Sequence, residues 1–271
     1  MGTTWRLLID AGPADGAWNM ALDRAIQLAR QADEVPPTLR LYRWARPTVT
    51  LGHFQSVVDI DADICALQGI DIVRRFTGGR GVLHDDELTY SVVARTTDGI
   101  PRGTVASYRL LCSALAETYR VLGVDAQLTA RPRGERSSPA CYLHATHADL
   151  SFGLAKLSGS AQVWLGDTVL QHGSLTRTRD ISVEAGVFRL NEQGTAELSA
   201  RTATLADALG EPPGFDAIVE SIHKGFERTL GVGCEKGDIT TGERSRAEAL
   251  LAEVSIQRTQ HVSAGLGSRL G

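Results

Sequence analysis

Arg74-Arg75-Phe76-Thr77-Gly78-Gly79-Arg80-Gly81-Val82-Leu83-His84-Asp85 is the stretch on which the fold turns. The apolar run before it, Ile70-Asp71-Ile72-Val73, reads as a buried strand. The segment after it, Leu88-Thr89-Tyr90-Ser91-Val92-Val93-Ala94, is rich in β-formers. Three glycines within four positions let the backbone approach a ligand with no Cβ in the way. They also leave N–H groups free to face an anion or a carbonyl. The arginines add fixed positive charge, and His84-Asp85 closes the loop with polar groups. The segment predicts a pocket wall for an acyl group, a phosphate or both. The plainer alternative is a hairpin turn carrying surface arginines. The loop lacks the Lys-Ser/Thr ending of a P-loop and the spacing of a dinucleotide-binding turn, and a strand pattern follows it instead of a helix.

The flanks extend the same mixture. Residues 5–10 predict a strand. Asp15 caps a helix whose apolar face is Trp18, Ala21, Leu22, Ala25, Ile26 and Ala29. Val35-Pro36-Pro37 ends it. Strands are expected over Thr38–Trp44 and Thr48–Leu51, and a short helix over Asp59–Gln68, stopped by Gly69. Residues 104–122 form an amphipathic helix through Val105, Tyr108, Leu111, Cys112, Leu115, Tyr119 and Leu122. Arg131–Pro139 is a polar loop. Ala140–Thr176 is strand-like, with turns at Phe152-Gly153 and Gly166-Asp167, and residues 215–230 and 242–254 predict two further helices. Strands and helices without regular βαβ alternation imply an α+β fold with a mixed, largely antiparallel sheet flanked by helices. One domain over residues 1–260 is expected, with a mobile tail over 261–271.

The chain has 271 residues, 42% hydrophobic and 22% charged, enough for one large domain. A net charge of −4 argues against nucleic-acid binding by bulk charge. No apolar run approaches the ~20 residues that span a bilayer, and Trp5-Arg6-Leu7-Leu8-Ile9-Asp10 is no signal peptide. The four cysteines, Cys65, Cys112, Cys141 and Cys234, have no metal or redox spacing, so a reducing cytoplasm and no metal are expected. Cys65 and Cys112 read as buried small residues and Cys234 as an incidental loop residue. His144 and His147 lack further ligands at metal spacing.

A second cluster of chemistry lies downstream. Cys141 stands where a loop opens into a strand, and it is either an exposed, reactive thiol or a small buried hydrophobe. Lys156 is one of only three lysines, and Leu157-Ser158-Gly159-Ser160-Ala161-Gln162 follows it. Small neighbours leave its ammonium facing a ligand rather than protein bulk. Gln171-His172-Gly173-Ser174 comes next. His172 is either a ligand contact or a turn-holding side chain, and His84 is either a ligand contact or a structural partner of Asp85.

Trp18-Asn19-Met20-Ala21-Leu22-Asp23, the Arg74–Asp85 loop, Lys156–Gln162 and Gln171–Ser174, in this order, resemble the lipoate/octanoate protein ligase and transferase family, related in fold to biotin protein ligases. The resemblance spans roughly residues 5–180. It implies a sheet-lined tunnel for an eight-carbon acyl chain, with Lys156 at the acyl carbonyl. Arg75, Thr77, Gly78, Gly79 and His84 wall the pocket, and Gly159, Ser160, Ala161 and His172 bind substrate. Cys141, in Ala140-Cys141-Tyr142, matches the cysteine that carries the acyl group in the octanoyltransferase branch. The implied activity is transfer of octanoate from octanoyl acyl carrier protein, through a cysteine thioester, to a lysine of apo lipoyl-domain proteins such as glycine-cleavage H protein. No cofactor is needed on that route. The alternative is a lipoate–protein ligase using ATP and Mg²⁺.

Overall fold

The structure, a computed structural model, describes residues 4–129, 140 and 149–256. Its frame is a six-stranded mixed sheet. In chain order the members are β1 (Thr4–Ile9), β2 (Thr38–Tyr42), β6 (Glu87–Arg95), β10 (Ser160–Leu165), β11 (Thr168–Thr176) and β12 (Gly233–Lys236), arranged in space as β10-β11-β6-β2-β1-β12. The β10, β11, β6 and β2 pairings are antiparallel. β1 runs parallel to both β2 and β12, with Thr4 opposite Gly233.

β6 is the spine, and its period-2 pattern does two jobs. Leu88, Tyr90, Val92 and Ala94 enter one core with the helices α3 (Thr104–Val121) and α7 (Phe215–Leu230). Glu87, Thr89 and Ser91 alternate with them and are also buried, so they point to the opposite face. That face is covered by α1 (Gly16–Gln31) and α8 (Thr241–Val254), around Met20, Ala21, Leu22, Ala25 and Ile26. The apolar stripe of α1 is the one its periodicity predicts. Ile218, Ile222 and Phe226 of α7 are fully buried, each worth about 1.5–3 kcal/mol of transfer free energy. Gly225 sits among them because α3 crosses there: a Cβ would meet Thr118 Oγ1 at 2.4 Å.

Two small sheets complete the frame. β3 (Thr48–Leu51) lies between β4 (Asp71–Arg74), parallel, and β5 (Val82–His84), antiparallel. β8 (Asp149–Phe152) lies between β7 (Ala126–Thr129) and β9 (Ala155–Ser158). The plainer alternative, a hairpin turn at the glycine loop, is not what forms. The strands flanking the glycine loop, β4 and β5, are not partners of each other: both pair with β3, which lies between them. The loop therefore crosses over within one small sheet, and the chain enters the large sheet only at β6. The helix expected over Asp59–Gln68 is a 3₁₀ turn, Val57–Asp59, followed by α2 (Ala62–Leu67), whose N-cap Asp61 accepts from Asp63 and Ile64 N–H. Three helices went unread: α4 (Ile181–Val187), α5 (Glu192–Arg201) and α6 (Leu205–Leu209). Cys234 lies in β12, not in a loop. Cys65 and Cys112 are buried as expected. The segments 131–139 and 261–271, together with Cys141, His144 and His147, lie outside the described residues. Among the described residues no helix is long and apolar enough to cross a membrane.

Candidate active site

The glycine loop, the β9–β10 junction and β11 converge on a cavity of about 140 Å³. Arg75, Gly79, His84, Gly159, Ser160, Ala161 and His172 line it, with Met20, Tyr42 and Trp44 as its apolar part. A wider cleft of about 770 Å³, between β1, β2 and the start of α7, contains none of these polar residues.

Arg75 organises the loop from beneath and is only 4% exposed. Its Nη2 donates to Gly78 O at 2.9 Å and to Arg80 O at 2.7 Å. Nη1 donates to Thr50 O at 2.9 Å and Thr50 Oγ1 at 3.2 Å, and Nε to Thr77 Oγ1 at 3.1 Å. A planar guanidinium with five N–H groups suits this fan of acceptors. Gly79 turns the loop with φ 100°. The 52–55 segment presses so close that a Cβ on Gly52 would fall 2.0 Å from Gly79 O.

Two hydrogen-bond chains lead from this arginine to buried carboxylates. In one, Thr77 Oγ1 meets His172 Nε2 at 2.8 Å, and His172 Nδ1 meets Asp23 Oδ2 at 3.1 Å. In the other, Thr50 Oγ1 meets His84 Nε2 at 2.9 Å, and His84 Nδ1 meets Glu87 Oε1 at 2.7 Å. Arginine can only donate, so each threonine oxygen accepts from Arg75 and also meets an imidazole Nε2. Each imidazole in turn donates Nδ1–H to a carboxylate. Asp23 also accepts from Arg40 Nη1 at 2.8 Å, Ser91 Oγ at 2.8 Å and Tyr42 OH at 3.0 Å. Glu87 also accepts from Trp44 Nε1 at 3.1 Å and Ser174 Oγ at 2.7 Å. The Trp44 ring stacks on His84, centroids 4.2 Å apart.

These contacts set the charges. Burial pushes Asp23 up, but the His172 hydrogen bond and the Arg40 charge outweigh it and hold the carboxyl below its usual range. Glu87 is also lowered: burial raises it, and His84, Thr89 and Ser174 overcome that. Burial lowers His172, and Arg75 and His84 add to that against the upward pull of Asp23, so the imidazole is neutral-leaning. A measurable consequence follows for stability. In the unfolded chain His172 titrates near ~6.5 and binds protons the folded form resists. Its contribution is fully present above about pH 6.5 and is lost as pH falls toward the lower folded value. Urea midpoints measured from about pH 7.5 down to 5 should fall in wild type and fall less in His172→Gln. Equal slopes would show that His172 is not the group responsible.

Lys156 lies on β9, not in the cavity lining. Its ammonium is 3.0 Å from Asp149 Oδ2, with both side chains nearly dry. A buried carboxylate thus takes one of its three donors, a protein partner that the sequence did not show. His172 lies mid-strand in β11, not in a turn, and the partner of His84 is Glu87, not Asp85. Cys141 is outside the described residues. Its covalent neighbour Ala140 is fully buried and bridges to Gly81 at the end of the glycine loop. Sequence reasoning missed Asp23, Glu87, Thr50 and Trp44 as parts of the site. One signal was present: Asn19 and Asp23 interrupt the apolar stripe of α1 at i,i+4.

Residues 15–227 match the lipoyl protein ligase A/B catalytic domain. The octanoyltransferase LipM of Kyrpidia tusciae is 38% identical over 264 residues, covering 92% of this chain and 96% of that protein. The octanoyltransferase LipM of Moorella thermoacetica is 38% identical over 260 residues, covering 92% and 95%. Among solved structures, a lipoate-protein ligase A bound with ATP superposes with TM-score 0.76 at 26% identity, covering 93% of this chain and 95% of that one. The bipartite lipoate protein ligase of Thermoplasma acidophilum gives 0.71 at 25%, covering 93% of each. This chain belongs to the lipoyl protein ligase A/B catalytic domain family.

Proposed function

We propose that this chain is an octanoyltransferase of lipoate biosynthesis that passes octanoate through Cys141 to a lysine of a lipoyl-domain protein. One observation carries the reading most. The glycine loop, the Gly159–Ala161 segment and His172 wall a single cavity, and Ala140, bonded to Cys141, is bridged to that loop. The Cys141 thiolate attacks the carbonyl of the octanoyl thioester on acyl carrier protein, and the carrier thiolate leaves. The Lys156 ammonium and loop N–H groups stabilise the developing oxyanion. The acceptor lysine, as a free amine, then attacks the enzyme thioester, and the Cys141 thiolate departs as the amide forms. Donor and acceptor react in separate steps, so kinetics are ping-pong, and no cofactor enters.

The likeness to the ATP-bound ligase supports a second route, in which octanoate or lipoate is activated by ATP and Mg²⁺. One experiment separates them. The enzyme is incubated with octanoyl carrier protein alone and its mass is measured. A hydroxylamine-labile octanoyl adduct is expected on wild type and not on Cys141→Ser. No adduct, with apo H protein modified only when octanoate, ATP and Mg²⁺ are supplied, would replace transfer by ligation.

A further inference from the structure

Where α7 gives way to β12, outside the cavity, three ligand-type side chains meet. His223 and Glu227 stand one turn apart on α7, a spacing that puts both on one helix face. Gly231 closes the helix at φ 65°, and β12, aligned along β1, brings Cys234 back against that face. One donor atom from each residue lies within 4.8 Å of the other two. The Cys234 N–H fixes Glu227 Oε1 at 2.9 Å. His223 Nε2 lies 3.2 Å from that same oxygen, yet it is shielded from solvent and has no hydrogen-bond partner. A simple helix ion pair would point an imidazole N–H at the carboxylate. Here the distance is met and the direction is not.

We propose that His223, Glu227 and Cys234 form a site for a divalent cation of borderline softness, for which zinc is the best fit. Imidazole, carboxylate and thiolate are all zinc donors, at about 2.0–2.3 Å. A tetrahedron with such bonds holds its ligand atoms roughly 3.3–3.8 Å apart, so small side-chain rotations close the group. Three protein ligands leave the fourth position to water. Harder ions such as Mg²⁺ want an all-oxygen shell, and the thiol and imidazole select against them. The Glu227 carboxylate is already oriented by a backbone N–H, as ligating carboxylates are. Without a cation, burial and the Glu227 charge push the Cys234 thiol up to about 11. On binding, the thiol proton passes to solvent as the metal–sulfur bond forms. The bound ion pins the edge strand β12 to α7, and its role is independent of acyl transfer.

The full chain, stripped with a chelator and dialysed, is titrated with zinc chloride against a chromophoric competitor. One zinc per chain is expected. Cobalt(II) should give a thiolate-to-metal absorption band, and zinc should raise the melting temperature. Cys234→Ser and His223→Asn should each weaken zinc binding by about 10-fold or more and abolish or shift the cobalt band. Cys141→Ser should leave both unchanged. Melting curves of the metal-free variants check that they are folded. Absent binding overturns the site. So does zinc affinity within about threefold of wild type in Cys234→Ser, or binding lost in Cys141→Ser.

Discussion

Lys156→Ala is expected to slow octanoyl transfer by about 10²–10³-fold, the usual cost of removing one preorganised oxyanion donor. Lys156→Arg should not restore it, because the planar guanidinium places its charge differently. The buried contact with Asp149 adds a second effect. Removing one partner of a dry ion pair typically costs about 3–5 kcal/mol, and both side chains here are almost inaccessible. The single variant is therefore also less stable, and a lower rate alone has two explanations. The double variant Lys156→Ala/Asp149→Asn separates them, since it removes the stranded charge without returning the ammonium. It should recover much of the urea midpoint and none of the rate. A double variant within about threefold of wild type in rate, well under one kcal/mol of barrier, removes Lys156 from the chemistry.

Arg75→Met is expected to lower transfer by about 10²-fold and stability by about 3–5 kcal/mol. Five hydrogen bonds from this guanidinium hold the carbonyls of Thr50, Gly78 and Arg80 and the hydroxyls of Thr50 and Thr77. A buried acceptor left without its donor costs about 1–3 kcal/mol, and part of that sum is recovered by local relaxation. The rate falls because the loop sets the cavity wall, and displacements of ~1 Å at a reacting centre can cost ~10²-fold. Arg75→Lys keeps the charge and loses the fork, so it should stay about tenfold or more below wild type. Steady-state rates with saturating donor, read beside urea midpoints, test both variants. A wild-type rate in Arg75→Met would make the guanidinium a bystander.

Long elements were legible because periodicity accumulates over many residues. α1, α3 and α7 announce themselves through apolar stripes, and β2 and β3 through β-branched and aromatic runs. β5 has three residues and α6 five, too few for any period to rise above chance. The parallel pairing of β1 with β12 is set by tertiary contact, which local pattern does not encode. In the site, Arg75, Thr77, Gly79 and His84 were legible because glycine and arginine crowd there. Asp23 and Glu87 were not, because a carboxylate within a helix, or one closing an acidic run such as Asp85-Asp86-Glu87, looks like solvated surface. Only the fold shows that each is buried beneath an imidazole. The ion pair of Lys156 was hidden for the same reason, since Asp149 becomes its neighbour only through the β8–β9 turn.

The parallel contact between β1 and β12 bears on how the protein is made. β1 is synthesised before β12, one of its two neighbours, and Gly233 follows Ile9 by 224 residues. Arg6 on β1 likewise waits for Glu243, which its Nη1 meets at 2.9 Å. At ~5–20 residues per second, synthesis of that interval takes roughly 11–45 s. Throughout that interval one side of β1 is an open strand edge, a template for pairing with another chain. Nascent chains stalled before β12 should therefore be held by chaperones or aggregate, whereas those released after α8 should not.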